Sequence, residues 1–375
     1  MPQPSFTIGI EEEYLIVDLE TRELVREAPE GLMADCKKLL GNQASPEFLQ
    51  SQIEVGTNVC GSIGQLRQEL TDLRLGVAEV TGRYGLAPMA ASTHPFADWS
   101  QQMNTDAARY NDLAEDLKTV VRRLVTSGMH IHIGLDDDNL RIDYMNQASY
   151  FLPHLLALST SSPFWEGSDS GLKSYRMPVF RALPRTGIPP AFTSWGEYQR
   201  HVDILVDAGV IEDATKIWWD LRPSARYPTL ESRITDIPTR LEDSLAIGAL
   251  FRSIMHMLDR LRRDNRRWRQ YSEMLIEENV WRAERYGIDK SLIDFGKGDL
   301  VPFAELASEL VELVREDAEE LDCVAELEHV RTIANHGTSA DRQLDVYAKS
   351  IADGRSNHEA LCDVVDLLVK ETVAV

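Results

Sequence analysis

Cysteine is scarce in this sequence, and no two cysteines form a CxxC pair. The 375 residues contain four, at Cys36, Cys60, Cys323 and Cys362. Cysteines so widely scattered argue against a disulfide framework or a zinc ribbon. Long apolar runs that could cross a bilayer are also missing, and the acidic residues near the N-terminus are unlike a signal peptide. These absences predict a soluble protein in a reducing, cytoplasmic setting.

Positive charge is in short supply as well. The chain has 39 Lys and Arg against 61 Asp and Glu, which gives a formal net charge of −22. Such a surface would repel a phosphate backbone, so nucleic acid is not expected as a partner. An anionic substrate would need local arginine or a bound metal ion. The sequence also contains no GxxxxGK[ST], no GxGxxG after a strand, no GxSxG and no HExxH, so a bound nucleotide would use neither a P-loop nor a Rossmann turn.

The hydrophobic pattern predicts an α+β fold on a single domain, residues 1–375. Residues 1–240 are rich in sheet and residues 241–375 are almost wholly helical, with no internal repeat or low-complexity linker between them. A helix is expected over 62–85, with Ser62 and Gln65 as a capping box, and another over about 141–158. Strands are expected over 6–18, 48–59, 86–92, 125–135, 215–222 and 229–236, the last two as a neighbouring pair.

Three consecutive glutamates interrupt the apolar run "FTIGIEEEYLIVD" of the first strand. With a two-residue period, Glu12 falls on the apolar face, while Glu11 and Glu13 stand side by side on the other face next to Gly9. Two adjacent carboxylates repel each other unless a cation lies between them. A solvated sheet edge is the alternative interpretation of this stretch.

Three further strands carry the same kind of polar face. It holds Gln52 and Glu54 in one strand, His130 and His132 between glycines in the next, and Glu231 and Arg233 in the last. A solvated face would explain each strand alone but explains the set less well, because surface strands favour Thr, Lys and Arg. The carboxylate majority favours Mg²⁺ or Mn²⁺, and the histidines shift the preference slightly toward Mn²⁺ or Zn²⁺.

The loop "SSPFWEGSDSGLKSYRMPVFRALPRTG" (161–187) supplies local positive charge. Its Arg176, Arg181 and Arg185 are candidates for binding phosphate or carboxylate groups. An ordinary surface loop is the alternative. The basic run 259–270 is expected to be a solvated, salt-bridged helix face.

Taken together, these stretches resemble the type 2 glutamate–cysteine ligase family, also called carboxylate–amine ligases. The resemblance rests on seven blocks in family order, "GIEEEYLIVD", "QIEVGTNV", "SGMHIHIG", "SPFWEGSDSGLKSYR", "WWDLRPSARYPTLESRITDIPT", "ENVWRAERYGID" and "GTSADRQL". The family is similar to glutamine synthetase in its catalytic fold, a curved, mainly antiparallel sheet of about six strands that cups ATP and metal ions, with helices outside.

The resemblance implies ATP-dependent amide formation between the γ-carboxylate of glutamate and an amine such as cysteine, through an acyl phosphate. By position, it assigns Mg²⁺ coordination to Glu11, Glu13, Glu54, His130 and Glu231. Arg233 and Arg176 are expected to be catalytic, Arg233 facing the substrate carboxylate or the acyl phosphate. Substrate or nucleotide binding is expected of Gln52, His132, Arg181 and Arg185. The family resemblance also implies a homodimer.

Two alternatives remain open at this stage. The Glu and His face could hold a metal ion that activates water in an ATP-independent amide hydrolase, for example one acting on γ-glutamyl amides. The chain could also be a non-catalytic sensor of amino acids or nucleotides. Intact Glu11, Glu13, Glu54, His130 and Glu231 count against the sensor.

Overall fold

A seven-stranded antiparallel sheet organises the molecule. The structure is a computed structural model that describes residues 4–106 and 123–375. Its strands are β1 (Ile8–Asp18), β2 (Ala44–Pro46), β3 (Gln52–Gly56), β4 (Leu86–Met89), β5 (Met129–Gly134), β10 (Leu221–Pro223) and β11 (Thr229–Ser232). Their order in the sheet is β10-β11-β5-β1-β3-β2, and β4 also pairs with β1. The predicted α+β class and antiparallel sheet are confirmed.

Three two-stranded sheets lie outside this main sheet. They pair β6 (Phe164–Trp165) with β7 (Ser168–Asp169), β8 (Thr186–Gly187) with β9 (Trp218–Trp219), and β12 (Ser291–Asp294) with β13 (Asp299–Pro302). The β12–β13 hairpin interrupts the region expected to be almost wholly helical. Its turn is held by Asp294 Oδ1, which accepts from the backbone N–H of Gly296 at 2.8 Å, and by Gly298 at φ +78°.

Thirteen α-helices lie among the described residues. The first six are α1 (Leu32–Leu40), α2 (Ile63–Gly82), α3 (Asp138–Ala148), α4 (Leu152–Ser159), α5 (Arg176–Phe180) and α6 (Trp195–Asp207). They are followed by α7 (Leu241–Arg263), α8 (Glu273–Tyr286), α9 (Phe303–Leu313), α10 (Arg315–Glu320), α11 (Val324–His336), α12 (Ser339–Ala352) and α13 (Asn357–Thr372). No helix among the described residues is both long enough and apolar enough to cross a bilayer.

Several predicted elements differ from the observed ones at their ends. The run 48–59 is a strand only over Gln52–Gly56, because the chain turns before it, with the N–H of Gln52 donating to Leu49 O at 3.1 Å. The predicted helix 141–158 is two helices, and Pro153 lies in the first turn of the second, where its missing N–H costs no hydrogen bond. The predicted capping box is only half present. Ser62 Oγ accepts from the N–H of Gln65, but the Gln65 side chain accepts from Gly61 instead of Ser62.

Strand β1 lies at the centre of the sheet, and its apolar face is fully buried. Ile8 and Ile10 on that face pack against α7, where Gly248 permits the close approach, since a Cβ there would lie 3.2 Å from Ile10 Cδ1. One continuous hydrophobic core joins β1 and α2 to the C-terminal helices. The opposite face of β1 is therefore the one left to carry polar side chains.

Glu12 lies on the buried face, as the two-residue period predicts. Its carboxylate is fully buried and accepts from Arg74 of α2, with Arg74 Nε to Glu12 Oε2 at 2.9 Å and Arg74 Nη2 to Glu12 Oε1 at 2.6 Å. Ser244 Oγ donates to Glu12 Oε1 at 2.9 Å. Arg74 also donates to the carbonyl of Thr239 at 2.6 Å and to that of Thr372 at 3.4 Å. This ion pair therefore ties the central strand to α2, to the start of α7 and to the last helix.

Candidate functional site

The polar face of the sheet brings together side chains from four separate strands. Glu11 of β1 lies opposite His130 of β5, and Glu13 lies opposite Glu54 of β3. In the next row His132 of β5 lies opposite Glu231 of β11. Directly paired residues on one face are close enough for their side chains to interact. The antiparallel register thus converts widely separated sequence positions into a single surface.

A first group that could hold a cation consists of Glu11, His132 and Glu231. Each offers one ligand atom, and these atoms lie within 4.8 Å of one another. Burial alone would raise the pKa of Glu11, but hydrogen bonds from His130 and His132 and their charges outweigh it and hold the pKa well below its usual range. His132 Nε2 is buried and lies 3.5 Å from Glu11 Oε1. An anionic carboxylate beside an imidazole nitrogen suits a divalent cation.

A second group consists of Glu13, Glu47 and Glu54, with ligand atoms again within 4.8 Å of one another. Burial, then the neighbouring Glu47, raises the pKa of Glu13 to about 8, against the lowering influence of Arg176 and Arg233. Burial and the charges of Glu11 and Glu47 likewise raise the pKa of Glu54. Three carboxylates crowded together, Glu13 buried and the other two half-buried, are a natural ligand set for Mg²⁺ or Mn²⁺.

His130 lies between the two groups. Its Nδ1 is 3.2 Å from Glu11 Oε2, and its Nε2 is 3.8 Å from Glu13 Oε1. Burial, then the positive charge of Arg233, lowers the pKa of His130 to about 4, so its ring is neutral at pH 7. A neutral imidazole keeps a lone pair for a cation. The resemblance assigned metal binding to His130 and substrate binding to His132, and the geometry makes both available as ligands.

Two arginines hold Glu231 from either side. Arg222 of β10 donates from Nε to Glu231 Oε2 at 2.9 Å and from Nη2 to Oε1 at 3.2 Å. Arg233 Nη1 donates to Glu231 Oε1 and lies 3.4 Å from His130 Nδ1. Although burial opposes ionisation, Arg233 and Arg222 hold the pKa of Glu231 well below its usual range. Arg233 is thus placed at the edge of the first group, in contact with Glu231 and beside His130.

Sequence reasoning missed Glu47 and Arg222. Glu47 lies in the turn between β2 and β3, where no periodic pattern applies. Arg222 had a signal, because it stands between apolar Leu221 and Pro223 and lies opposite Glu231 once the β10–β11 register is known.

The hydrogen bonds of the remaining predicted binding residues go to partners outside the two cation groups. Gln52 is buried, and its Nε2 donates to the carbonyl of Thr126 at 2.8 Å. Arg181 Nη1 donates to Glu277 Oε2 at 2.8 Å. Arg185 Nε donates to the carbonyl of Lys216 at 2.9 Å, and its guanidinium lies over the Trp218 ring. Arg176 is almost completely buried and donates to backbone carbonyls of the segment that carries Arg233.

Arg181 is surrounded by three carboxylates. Asp220 is buried, Glu277 and Glu284 come from α8, and all three interact electrostatically with this guanidinium. Burial, opposed by Arg181, raises the pKa of Asp220 to about 6 and that of Glu284 to about 7. One guanidinium therefore does not keep this cluster fully ionised at neutral pH.

Replacing Glu284 by glutamine is expected to stabilise the protein increasingly as the pH rises. The folded state holds the Glu284 proton up to a pH near 7, whereas the unfolded chain releases it near 4, so the parent loses stability between those values. The amide cannot ionise and avoids that loss. Urea unfolding at pH 5 and pH 8 should show an advantage for Glu284→Gln on the order of 2 kcal/mol at pH 8 and less at pH 5. Exposed Glu278→Gln on the same helix is the control, and an advantage that does not change with pH would contradict the prediction.

Comparison with known proteins identifies the family. A family model described as glutamate-cysteine ligase family 2 matches residues 7–366. A protein of Rhodospirillum rubrum, provisionally named glutamate–cysteine ligase 2, is 57% identical over 378 residues, covering 100% of this chain and 97% of its own. A protein of Jannaschia sp. with the same provisional name is 57% identical over 366 residues, covering 98% of this chain and 96% of its own.

Solved structures share the fold at low sequence identity. The glutamate–cysteine ligase of Francisella tularensis in complex with AMP superposes with a TM-score of 0.69 at 13% identity, covering 100% of this chain and 90% of its own. A bifunctional glutathione synthetase from Pasteurella multocida gives a TM-score of 0.68 at 14% identity, covering 98% of this chain and 52% of its own. Because the family model spans nearly the whole chain and the two relatives share more than half of its residues, this chain belongs to glutamate–cysteine ligase family 2 and is by family a ligase, as the sequence predicted.

Proposed function

We propose that this protein is an ATP-dependent carboxylate–amine ligase that joins the γ-carboxylate of glutamate to an amine, cysteine or another amino compound. The observation that carries the proposal is the pair of adjacent cation-binding groups on one sheet face, with Arg233 against Glu231. The names of the relatives and the AMP in the Francisella complex support it. A triphosphate and a carboxylate both need concentrated positive charge, which this acidic chain can supply through cations.

The residues present fit Mg²⁺, with Mn²⁺ as a substitute. Oxygen ligands dominate both groups, as hard cations require, and Nε2 of His132, 3.5 Å from Glu11 Oε1, adds a nitrogen ligand. Glu11, His132 and Glu231 would hold one ion, Glu13, Glu47 and Glu54 a second, and His130 adjoins both. Bound Mg²⁺ would supply compensation for the charge that develops on the phosphate oxygens.

The proposed reaction has two steps. The γ-carboxylate of glutamate attacks the γ-phosphorus of ATP, the bond to the ADP oxygen breaks, and an acyl phosphate forms. The deprotonated amine then attacks the acyl carbon, and phosphate leaves. In both steps Arg233 would lie beside the developing negative charge, already oriented by Glu231. Arg222, which donates to two backbone carbonyls as well as to Glu231, would keep that carboxylate in place.

The hydrolase alternative makes a different demand on the site. It needs a single metal ion with one open position for water and no triphosphate. Two neighbouring ligand groups and two arginines on one face favour the ligase. The expected homodimer stays a prediction, which light scattering of the purified protein would test.

Amide formation is expected to depend strictly on ATP and Mg²⁺, with one ADP and one phosphate released for each amide. Joining a carboxylate to an amine in water is uphill, so the acyl group must be activated. The protein would be incubated with Mg²⁺, glutamate and a panel of amines, with and without ATP, and both ADP and product mass would be measured. In a parallel incubation, γ-glutamyl amides would be supplied without nucleotide. Cleavage of those amides, together with no amine-stimulated ADP release, would replace the ligase by the hydrolase.

A further inference from the structure

Arg176 is buried, and among the described residues its guanidinium donates its two shortest hydrogen bonds to backbone carbonyls. Its side chain is 3% exposed. Nη2 donates to the carbonyl of Arg233 at 3.0 Å, and Nη1 donates to that of Ile234 at 3.3 Å. A planar guanidinium fork can hold two successive carbonyls at once, which an ammonium cannot. The chain that carries Arg233 is therefore fixed from below by Arg176.

Gly128 lies against the same guanidinium. A Cβ at this position would lie 2.6 Å from Arg176 Nη2 and 3.1 Å from Cζ. The Gly128 N–H donates to Glu13 Oε2 at 2.7 Å, and the Gly128 carbonyl accepts from the Glu13 N–H at 3.2 Å. Glycine is needed here because a Cβ would collide with the Arg176 guanidinium. Without one, the guanidinium can contact the backbone that donates to the Glu13 carboxylate.

Asp236 forms hydrogen bonds with both ends of the 161–176 segment, which carries Arg176. It is completely buried, and its Oδ2 accepts from the N–H of Ser161 at 2.9 Å and from Ser162 Oγ at 2.7 Å. Its Oδ1 accepts from Ser174 Oγ at 2.8 Å. Ser162 Oγ also accepts from the backbone N–H of Arg176 at 3.2 Å. Three donors on one buried carboxylate hold both ends of the 161–176 segment in place.

These contacts meet at one point of the sheet. Asp236 pairs with Gly128 across an antiparallel bridge, and Arg176 lies between the strand of Gly128 and the segment 233–234. The Gly128 N–H donates to Glu13, which belongs to the second group. The segment 233–234 carries Arg233, which donates to Glu231 of the first group. A displacement of Arg176 would therefore move a ligand of one group and the arginine of the other.

We propose that Arg176 is a positioning residue, which sets the backbone at Gly128 and Arg233 and through them the Glu13 carboxylate and the Arg233 guanidinium, without touching substrate. This differs from the catalytic role that the family resemblance implies for it. The proposal deepens the ligase function proposed above and rests on it only for its kinetic readout.

The first readout needs no catalysis. In protein labelled with ¹⁵N-glycine, the Gly128 amide is identified as the signal that Gly128→Ala removes. Arg176→Lys keeps the charge but loses the two-carbonyl fork, so the Gly128 signal should move beyond its linewidth as the bond to Glu13 changes. Arg282→Lys is the matched control, since Arg282 also donates to a backbone carbonyl, that of Ser291 at 2.7 Å, away from this face. If Arg176→Lys fails to fold, Ser162→Ala removes the bridge between Asp236 and Arg176 and should move the same signal.

The second readout is kinetic. Misplacing catalytic groups without removing them should lower kcat roughly 100-fold in Arg176→Lys and leave the KM for ATP and glutamate unchanged. An unmoved Gly128 signal overturns the proposal, and so does a KM for either substrate raised by about tenfold or more. If the parent protein forms no amide with any amine, the ligase function fails, and the Gly128 signal still decides the role of Arg176.

Discussion

Glu11→Gln and Glu13→Gln are each expected to lower turnover on the order of 1000-fold while leaving the fold intact. Each change keeps the side-chain volume and removes the charge of one proposed cation ligand. Glu11 belongs to the group with His132 and Glu231, and Glu13 to the other carboxylate group, so either loss would break the charge compensation around the phosphates. ADP release at saturating Mg²⁺ and thermal unfolding would be measured together.

Glu79→Gln is the matched control for these two variants. Glu79 is an exposed glutamate on α2, and within the described part of the chain its one ion pair is with Arg83, four residues on. It should keep parental turnover. A stable Glu11→Gln or Glu13→Gln protein with near-normal turnover would remove that residue from the proposed cation sites.

Glu12→Gln should behave differently, losing about 3–5 kcal/mol of the free energy of unfolding. Glu12 and Arg74 are both fully buried, so the amide would leave the charge of Arg74 without its counter-ion. From the two-residue period alone, we expect Glu12→Gln to lower activity less than Glu11→Gln or Glu13→Gln. The buried ion pair with Arg74 adds the expectation of a large loss of stability. Urea unfolding measures the loss, and the activity per folded molecule should stay close to that of the parent.

Two comparisons sharpen the Glu12 prediction. Glu242→Gln breaks an exposed ion pair with Arg67 and should cost less than about 1 kcal/mol. Adding Arg74→Met to Glu12→Gln removes the stranded charge and should recover part of the loss. An unfolding free energy for Glu12→Gln equal to that of the parent, or a loss of activity matching Glu11→Gln in folded protein, would contradict the assignment of Glu12 to the structural face.

The fold was predictable because its signals are periodic. Alternation placed Glu11 and Glu13 on one face of β1 and Glu12 on the other, and the ordered family blocks led to the confirmed family. The ends of elements were less predictable where a local hydrogen bond outweighed the hydrophobic pattern. One example is Asp294, whose side chain accepts from the Gly296 N–H in the turn of the β12–β13 hairpin, within a region predicted to be helical.

The arrangement within the site was less accessible to sequence reasoning. Alternation shows which residues share a face of one strand, but the distance between Glu11 and His132 depends on the register between strands. Glu47 was not predicted because it lies in a turn, where no periodic pattern applies. The burial of Arg176 depends on its packing against Gly128, which no single stretch of sequence reveals. The roles assigned to the individual site residues stay predictions that the variants above would test.

The central position of β1 also bears on how this chain is made. β1 is synthesised first among the strands of the sheet, yet its partners β3, β4 and β5 come from residues 52–56, 86–89 and 129–134. Until those segments leave the ribosome, an apolar strand with unpaired backbone is open to pairing with other nascent chains. Glu11, Glu12 and Glu13 put three like charges in the middle of that strand, and stacking it in register with copies of itself would bring those charges together. We therefore expect the charges of these glutamates to disfavour such stacking during biosynthesis, before any of them has a partner in the folded protein.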